Sequence, residues 1–198
     1  MRTSTCLVAA LLASITLDAE AQRQDETFTH TAEVALSNDT LQLRYLGAGE
    51  KLVKAEGSRV SATFFVSEER DMVLSGDVLF PADFDWGPLT FLFGPRVYAA
   101  LLEEENNDVM SLTIGAEIRF DLQRTTGLAI VGQAFYGPDI LTFGSADSLT
   151  DLSARAELSV APRVTVFAGM RWFQFDLTES QEERTLQEEL FAGFGWRF

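Results

Sequence analysis

Lysine, histidine and cysteine are almost missing from this chain: among 198 residues there are Lys51 and Lys54, the single histidine His30 and the single cysteine Cys6. One cysteine leaves no disulfide and no thiolate metal centre. One histidine leaves no His-rich metal site. It also narrows catalysis, because nucleophilic enzymes of membrane surfaces generally set a histidine beside Ser, Asp or Glu. Positive charge is scarce overall, with 15 Lys and Arg against 30 Asp and Glu and a net charge of -15. That balance argues against nucleic acid or a bare anionic surface as partner, since both reward clustered cations. Long hydrophobic runs are lacking as well. Beyond residue 21 no window approaches ~18 consecutive apolar residues, so no transmembrane helix is predicted.

The first 21 residues read as a signal peptide: Arg2 is the positive start, Cys6 to Leu17 the apolar stretch, and Ala19-Glu20-Ala21 the small-x-small cleavage site. Residues 22–198 then form one domain, which suits a chain of this length. Cleavage removes Cys6, one positive charge and two negative ones, leaving a net charge of -14 and no thiol. The acid left behind gathers in Glu68-Glu69-Arg70-Asp71, Glu103 to Asp108 and Glu179 to Arg184, each between two apolar stretches, as solvated loops would be. Carboxylates in such loops can hold divalent cations, but no calcium-loop spacing is present and plain solvation accounts for them.

What the chain does contain is alternation. Leu152, Ala154, Ala156, Leu158 and Val160 share one face of a strand, opposite Ser153, Arg155, Glu157 and Ser159. Leu112 to Phe120 repeats the pattern, and so does Val164 to Trp172. Ten strands are predicted, at 28–36, 40–48, 58–67, 71–80, 88–102, 109–121, 125–136, 150–160, 163–176 and 186–198. Eight remain an alternative, because 49–57 can be read in more than one way. An even number suits an antiparallel barrel of the bacterial outer membrane whose ends both lie in the periplasm. Gln123-Arg124 and Ala161-Pro162 then fall in short periplasmic turns, and the acidic runs with segment 137–149 fall outside.

A water-soluble barrel would turn its apolar face inward and a broadly polar face outward. Here the second face holds Gly, Ser, Thr, Phe and single charges, with no lysine in any predicted strand. Such residues suit a narrow lumen. The last strand agrees: Leu190, Ala192, Phe194, Trp196 and Phe198 form an outward ladder ending on an aromatic residue, the pattern that outer-membrane barrel assembly recognises. Leu190, Phe194, Trp196 and Phe198 are therefore the expected assembly signal. Trp172, Trp196, Tyr45, Tyr136, Phe80 and Phe120 fall near strand ends on the same face, as interfacial girdles do.

The inward face predicts a lumen of Glu33, Arg44, Asp77, Arg96, Glu117, Arg119, Arg155, Glu157, Arg171, Glu189 and Arg197. Positive and negative charges nearly balance, which suits a salt-bridged plug; a selective channel more often carries one excess sign. His30 falls on the outward face at the start of the first strand, a poor place for a catalytic base. Gly115, Gly132, Gly169, Gly193 and Gly195 match no phosphate-loop spacing and suit close packing in a small barrel.

The stretch Tyr136-Gly137-Pro138-Asp139-Ile140-Leu141-Thr142-Phe143, continuing through Asp147 to Asp151-Leu152-Ser153-Ala154-Arg155-Ala156-Glu157-Leu158, resembles the YfaZ-like outer-membrane proteins. The likeness is best from Gly127 to Phe198, and Met170-Arg171-Trp172 departs mildly from the Tyr-Arg-Tyr-like segment usual there. The resemblance implies a signal-bearing outer-membrane barrel and no particular activity. The expectation is a monomeric, plugged barrel with a structural, surface-interaction or envelope-maintenance role, without catalytic residues, cofactor or metal. Its partners are membrane lipid, lipopolysaccharide and the barrel-assembly machinery. A narrow pore or transporter is the alternative, and a lipid-modifying enzyme the third.

Overall fold

The computed structural model of the chain describes residues 30–82, 87–102, 107–123, 126–177 and 183–198. The expected signal peptide, most of the two later acidic runs, Phe28 and Arg124 lie outside these residues.

The strands are β1 (His30–Leu36), β2 (Thr40–Ala48), β3 (Arg59–Ser67), β4 (Met72–Pro81), β5 (Leu89–Leu102), β6 (Asn107–Gln123), β7 (Leu128–Gly137), β8 (Thr142–Gly144), β9 (Ala146–Ala161), β10 (Val164–Leu177) and β11 (Glu183–Arg197). Ten of them close a ring. Each pairs antiparallel with the next, β5 pairs with β6, β7 passes directly to β9, and β11 returns to β1. A closed ring leaves no unpaired sheet edge, so the long inward and outward faces need no further covering strand.

The ten-strand expectation holds, and two connecting segments take definite form. Segment 49–57 belongs to no strand. It turns through a short helix, α1 (Glu50–Val53), capped at Lys54 in the left-handed region with φ 55, so the count of eight is excluded. Segment 137–149 is also more ordered than a plain loop. After a 3-10 turn at Asp139–Leu141, β8 adds to the end of β6 through Val109↔Gly144 to Ser111↔Thr142, and β9 starts at Ala146, four residues before the predicted 150. The cause is a change in patterning. Ala146, Ser148 and Leu149 are buried, so this stretch lacks the polar alternation that marks a two-faced strand.

The barrel has two unlike ends. The termini end carries the start of β1, the close of β11, α1 and the Pro162-Arg163 turn. The loop end carries the Ser37–Asp39, Glu68–Asp71 and Pro138–Ser145 connections. Outward positions are large and apolar: Leu43, Leu74, Phe93, Ile114, Ile130, Met170 and Phe194 are all exposed. Of the six aromatic residues expected near strand ends, Tyr45 and Trp196 project outward near the termini end and Tyr136 and Trp172 nearer the loop end, while Phe80 and Phe120 are half-buried.

Candidate functional site

Inward side chains form three layers. Nearest the termini end, Arg155 makes a bidentate pair with Glu33 at 3.0 and 3.0 Å and a second contact to Glu157 at 2.7 Å. Glu157 also accepts from Arg119 at 2.5 Å, and Arg119 donates to Asp121 at 3.0 Å. Across this space Arg59 grips Glu117 with two bonds of 2.6 Å, and Gln133 donates to the same carboxylate. Glu33, Arg59, Glu117, Arg119, Arg155 and Glu157 line a vestibule of about 450 Å³.

The middle layer is a tighter belt centred on Asp151. Its Oδ1 accepts from Arg171 Nε at 2.9 Å, and its Oδ2 accepts from Arg171 Nη2 at 2.9 Å, Tyr98 at 2.6 Å and Arg96 at 3.3 Å. Arg96 also donates from Nε to Asp77 Oδ2 at 3.0 Å, an oxygen that accepts from Ser61 at 2.6 Å. Arg171 reaches Gln42 Oε1 at 2.8 Å. Charges this deep are tolerable because each carboxylate has more than one donor.

Aromatic rings support the arginines. The Arg96 guanidinium lies 3.6 Å from the Phe135 ring centroid, Arg155 4.5 Å from Phe167 and Arg171 4.5 Å from Phe173. Two strand glycines make this stacking possible. A Cβ at Gly115 would fall 2.3 Å from the Phe135 ring and 2.2 Å from Ala134 O, and one at Gly193 2.6 Å from Phe167 and 2.2 Å from Val34 O. The rings therefore pack against glycine backbone and offer their faces to the guanidinium groups. Gly115→Val is expected to cost about 1–3 kcal/mol by overpacking, read as a lowered urea midpoint of the folded barrel; an unchanged midpoint would refute the ring-on-glycine account.

Towards the loop end the lumen becomes apolar. Phe65, Val73, Tyr98, Ala100, Leu102, Val109, Ala146, Leu149, Phe173, Phe175 and Leu186 form one buried cluster. Phe173 is its centre, with ring centroids 5.9 Å from Phe65, 5.6 Å from Tyr98 and 5.5 Å from Phe175. Phe173, Phe175 and Leu149 are 0% exposed.

The structure thus brings Glu33, Arg44, Asp77, Arg96, Glu117, Arg119, Arg155, Glu157 and Arg171 into the lumen. Arg197 also points into the vestibule, where it donates to Thr165 at 2.8 Å and Ser159 at 3.3 Å. Glu189 stands apart from the arginines. It shares a register position with Arg171, yet it accepts from Ser37 Oγ at 2.8 Å and Asn38 N at 3.2 Å at the loop end. The inward Phe residues of the sequence are joined by aliphatic ones in an apolar layer beside the charged belts. Sequence reasoning missed Arg59, Asp151 and Tyr98. Period two would have found all three, since Asp151 adjoins outward Leu152, Arg59 is two positions from inward Ser61, and Tyr98 is two from inward Arg96.

The chemistry available is that of a locked ion-pair network. His30 lies outside it, on the outer wall, where Tyr45 Oη approaches Nδ1 at 2.7 Å and the ring stacks on Tyr45 and Phe198. Among the described residues no cluster of three or more His, Cys, Asp or Glu is arranged to hold a metal ion.

Leu190, Phe194, Trp196 and Phe198, the residues expected as the assembly signal, all face outward, from 51% to 74% exposed. Phe198 is tied back by its backbone N–H to His30 O at 3.0 Å.

Two solved structures are similar to the chain in outline. One is described as "Bacterial polysaccharide outer membrane secretin", with 15% identity and a TM-score of 0.49 over 80% of this chain; the chain spans about half of that one, 56%. The other is described as "KdgM porin in complex with disordered oligogalacturonate", with 8% identity and a TM-score of 0.48 over 86% of this chain and 99% of that one. No curated protein sequence matches. The profile of the family described as YfaZ precursor matches residues 10–198, a span that contains the outward ladder, the ion-pair belts and the apolar cap alike. The chain is a member of the YfaZ family.

Proposed function

We propose that this protein is exported by its N-terminal signal peptide, inserts into the bacterial outer membrane as a monomer, and serves there as a sealed barrel with a structural or surface-interaction role. The observation that carries the sealed reading is the pair of layers inside it: side chains with no exposed surface stacked on a belt of paired arginines. An ion crossing such a lumen would have to displace both.

Membrane insertion draws support from the outer wall. An unbroken ring of exposed Leu, Ile, Phe, Met and Trp is far larger than the few hundred Å² that soluble monomers tolerate. In this orientation the termini end faces the periplasm and the loop end, with Glu68 and Glu69, faces the lipopolysaccharide surface. Lipid and lipopolysaccharide are then its standing partners, and the barrel-assembly machinery its transient one, through the ladder ending at Phe198. A non-enzymatic role is supported by the position of His30, stacked between two aromatic rings outside the lumen.

The test is direct. The protein refolded in detergent should show a heat-dependent shift in gel mobility, and in planar bilayers it should give no stable single-channel steps. Failure of the gel shift sinks the membrane barrel. Regular conductance steps sink the sealed reading and favour the narrow pore, whose structural support is the vestibule of about 450 Å³.

A further inference from the structure

The central belt is not evenly neutralised. Arg96 and Arg171 share Asp151, Arg96 also takes Asp77, and Arg155 is held by Glu33 and Glu157. Arg44 has no comparable partner. Its nearest carboxylate oxygen, Asp77 Oδ2, is 3.8 Å away and already engaged by Arg96 and Ser61. Its hydrogen bonds are two 3.4 Å contacts, from Nε and Nη2, to the single Oγ of Ser61. Yet Arg44 is only 5% exposed. An arginine buried to this degree with a single weak acceptor carries a substantial desolvation cost.

Arg44 also lines a central cavity of about 30 Å³, together with Arg96, Arg155, Arg171, Gln42 and Asp151. Four guanidinium groups and one carboxylate surround it. At ~10–15 Å³ for each water-sized occupant, the space takes two or three water-sized particles, room for one small ion with a water and not for a bulky organic anion. Arg155 lines both this cavity and the vestibule, so the two spaces adjoin at its side chain.

We propose that this cavity is a binding site for a small monovalent anion, of the chloride class, held chiefly by Arg44. The anion supplies the negative charge that Asp77 does not, and it enters from the termini end past Arg155. Size selects for a halide over larger anions. The site goes beyond the sealed-barrel reading and is tested apart from conductance, because an anion can reside in the belt whether or not ions cross the cap.

The experiment uses the mature protein folded in detergent. Its thermal unfolding midpoint is read by gel shift in sodium chloride, sodium bromide and sodium gluconate at equal ionic strength. The midpoint should rise with chloride or bromide concentration and stay flat in gluconate. In Arg44→Met, which keeps the alkyl stem and removes the charge, the halide-dependent rise should vanish. Equal midpoints in all three salts, or a rise that persists in Arg44→Met, overturns the proposal. If Arg44→Met does not fold, the wild-type protein crystallised with bromide decides: an anomalous peak between Arg44 and Arg171 supports the site, and its absence there overturns it.

Discussion

Asp151→Ala should lower the unfolding free energy of the barrel by about 3–5 kcal/mol, the range for removing one partner of a buried ion pair. The reasoning is one of stranded donors. Asp151 accepts from two arginines and a tyrosine, all three buried, and alanine would leave the Arg171 guanidinium with the Gln42 side chain as its remaining hydrogen-bond acceptor. Arg96 keeps Asp77, so the damage falls mainly on Arg171 and Tyr98. Asp151→Asn retains one carbonyl acceptor without the charge and should lose less. Exposed Glu188→Ala, by contrast, should stay within about 0.5 kcal/mol of wild type. Urea unfolding followed by tryptophan fluorescence measures all three, and an Asp151→Ala barrel within 1 kcal/mol of wild type contradicts the hub role.

Conductance should appear only when two layers are breached together. Phe173 touches three other rings of the apolar cap, so Phe173→Ala opens a gap there at a cost of about 3–5 kcal/mol. Beneath that gap the belt of Arg96, Asp151 and Arg171 still spans the lumen, and the single variant is expected to remain silent in planar bilayers. Arg171→Ala alone leaves the cap intact and should be silent too. The double variant Phe173→Ala/Arg171→Ala should give stable steps, recorded on protein whose gel shift shows that it is folded. Steps from either single variant would mean that the other layer does not obstruct ions.

Much of this architecture was legible in one dimension because strand faces follow parity. Leu112, Ile114 and Ile118 pointed outward and Glu117 and Arg119 inward without any knowledge of the neighbours. Parity also set Phe173 on the lumen side with Arg171, but it did not say that Phe173 and Phe175 would gather with side chains of other strands into one apolar layer. It failed at Ala146 to Leu149, which passed for loop because Ser148 and Leu149 are buried side by side. Partners were less legible still. That Arg96 meets Asp151, or Arg59 meets Glu117, depends on strand tilt and lumen width, which bring together residues more than fifty positions apart. The asymmetry around Arg44 could not be read at all, since its charge looks balanced in any count of inward residues.

The junction between β1 and β11 is the place where this ring is cut in the chain, and it is backed by little ladder. Its pairing runs only from Thr31↔Arg197 to Leu36↔Ala192, whereas β11 follows β10 from Val164↔Trp196 to beyond Arg171↔Glu189. Glu33 lies on that short junction strand, and its bidentate partner Arg155 stands on β9, on the far side of both β11 and β10. Their bond therefore works as a clasp: drawing the first and last strands apart would carry Glu33 away from Arg155. The closed junction thus draws its stability from the interior of the barrel as well as from its wall.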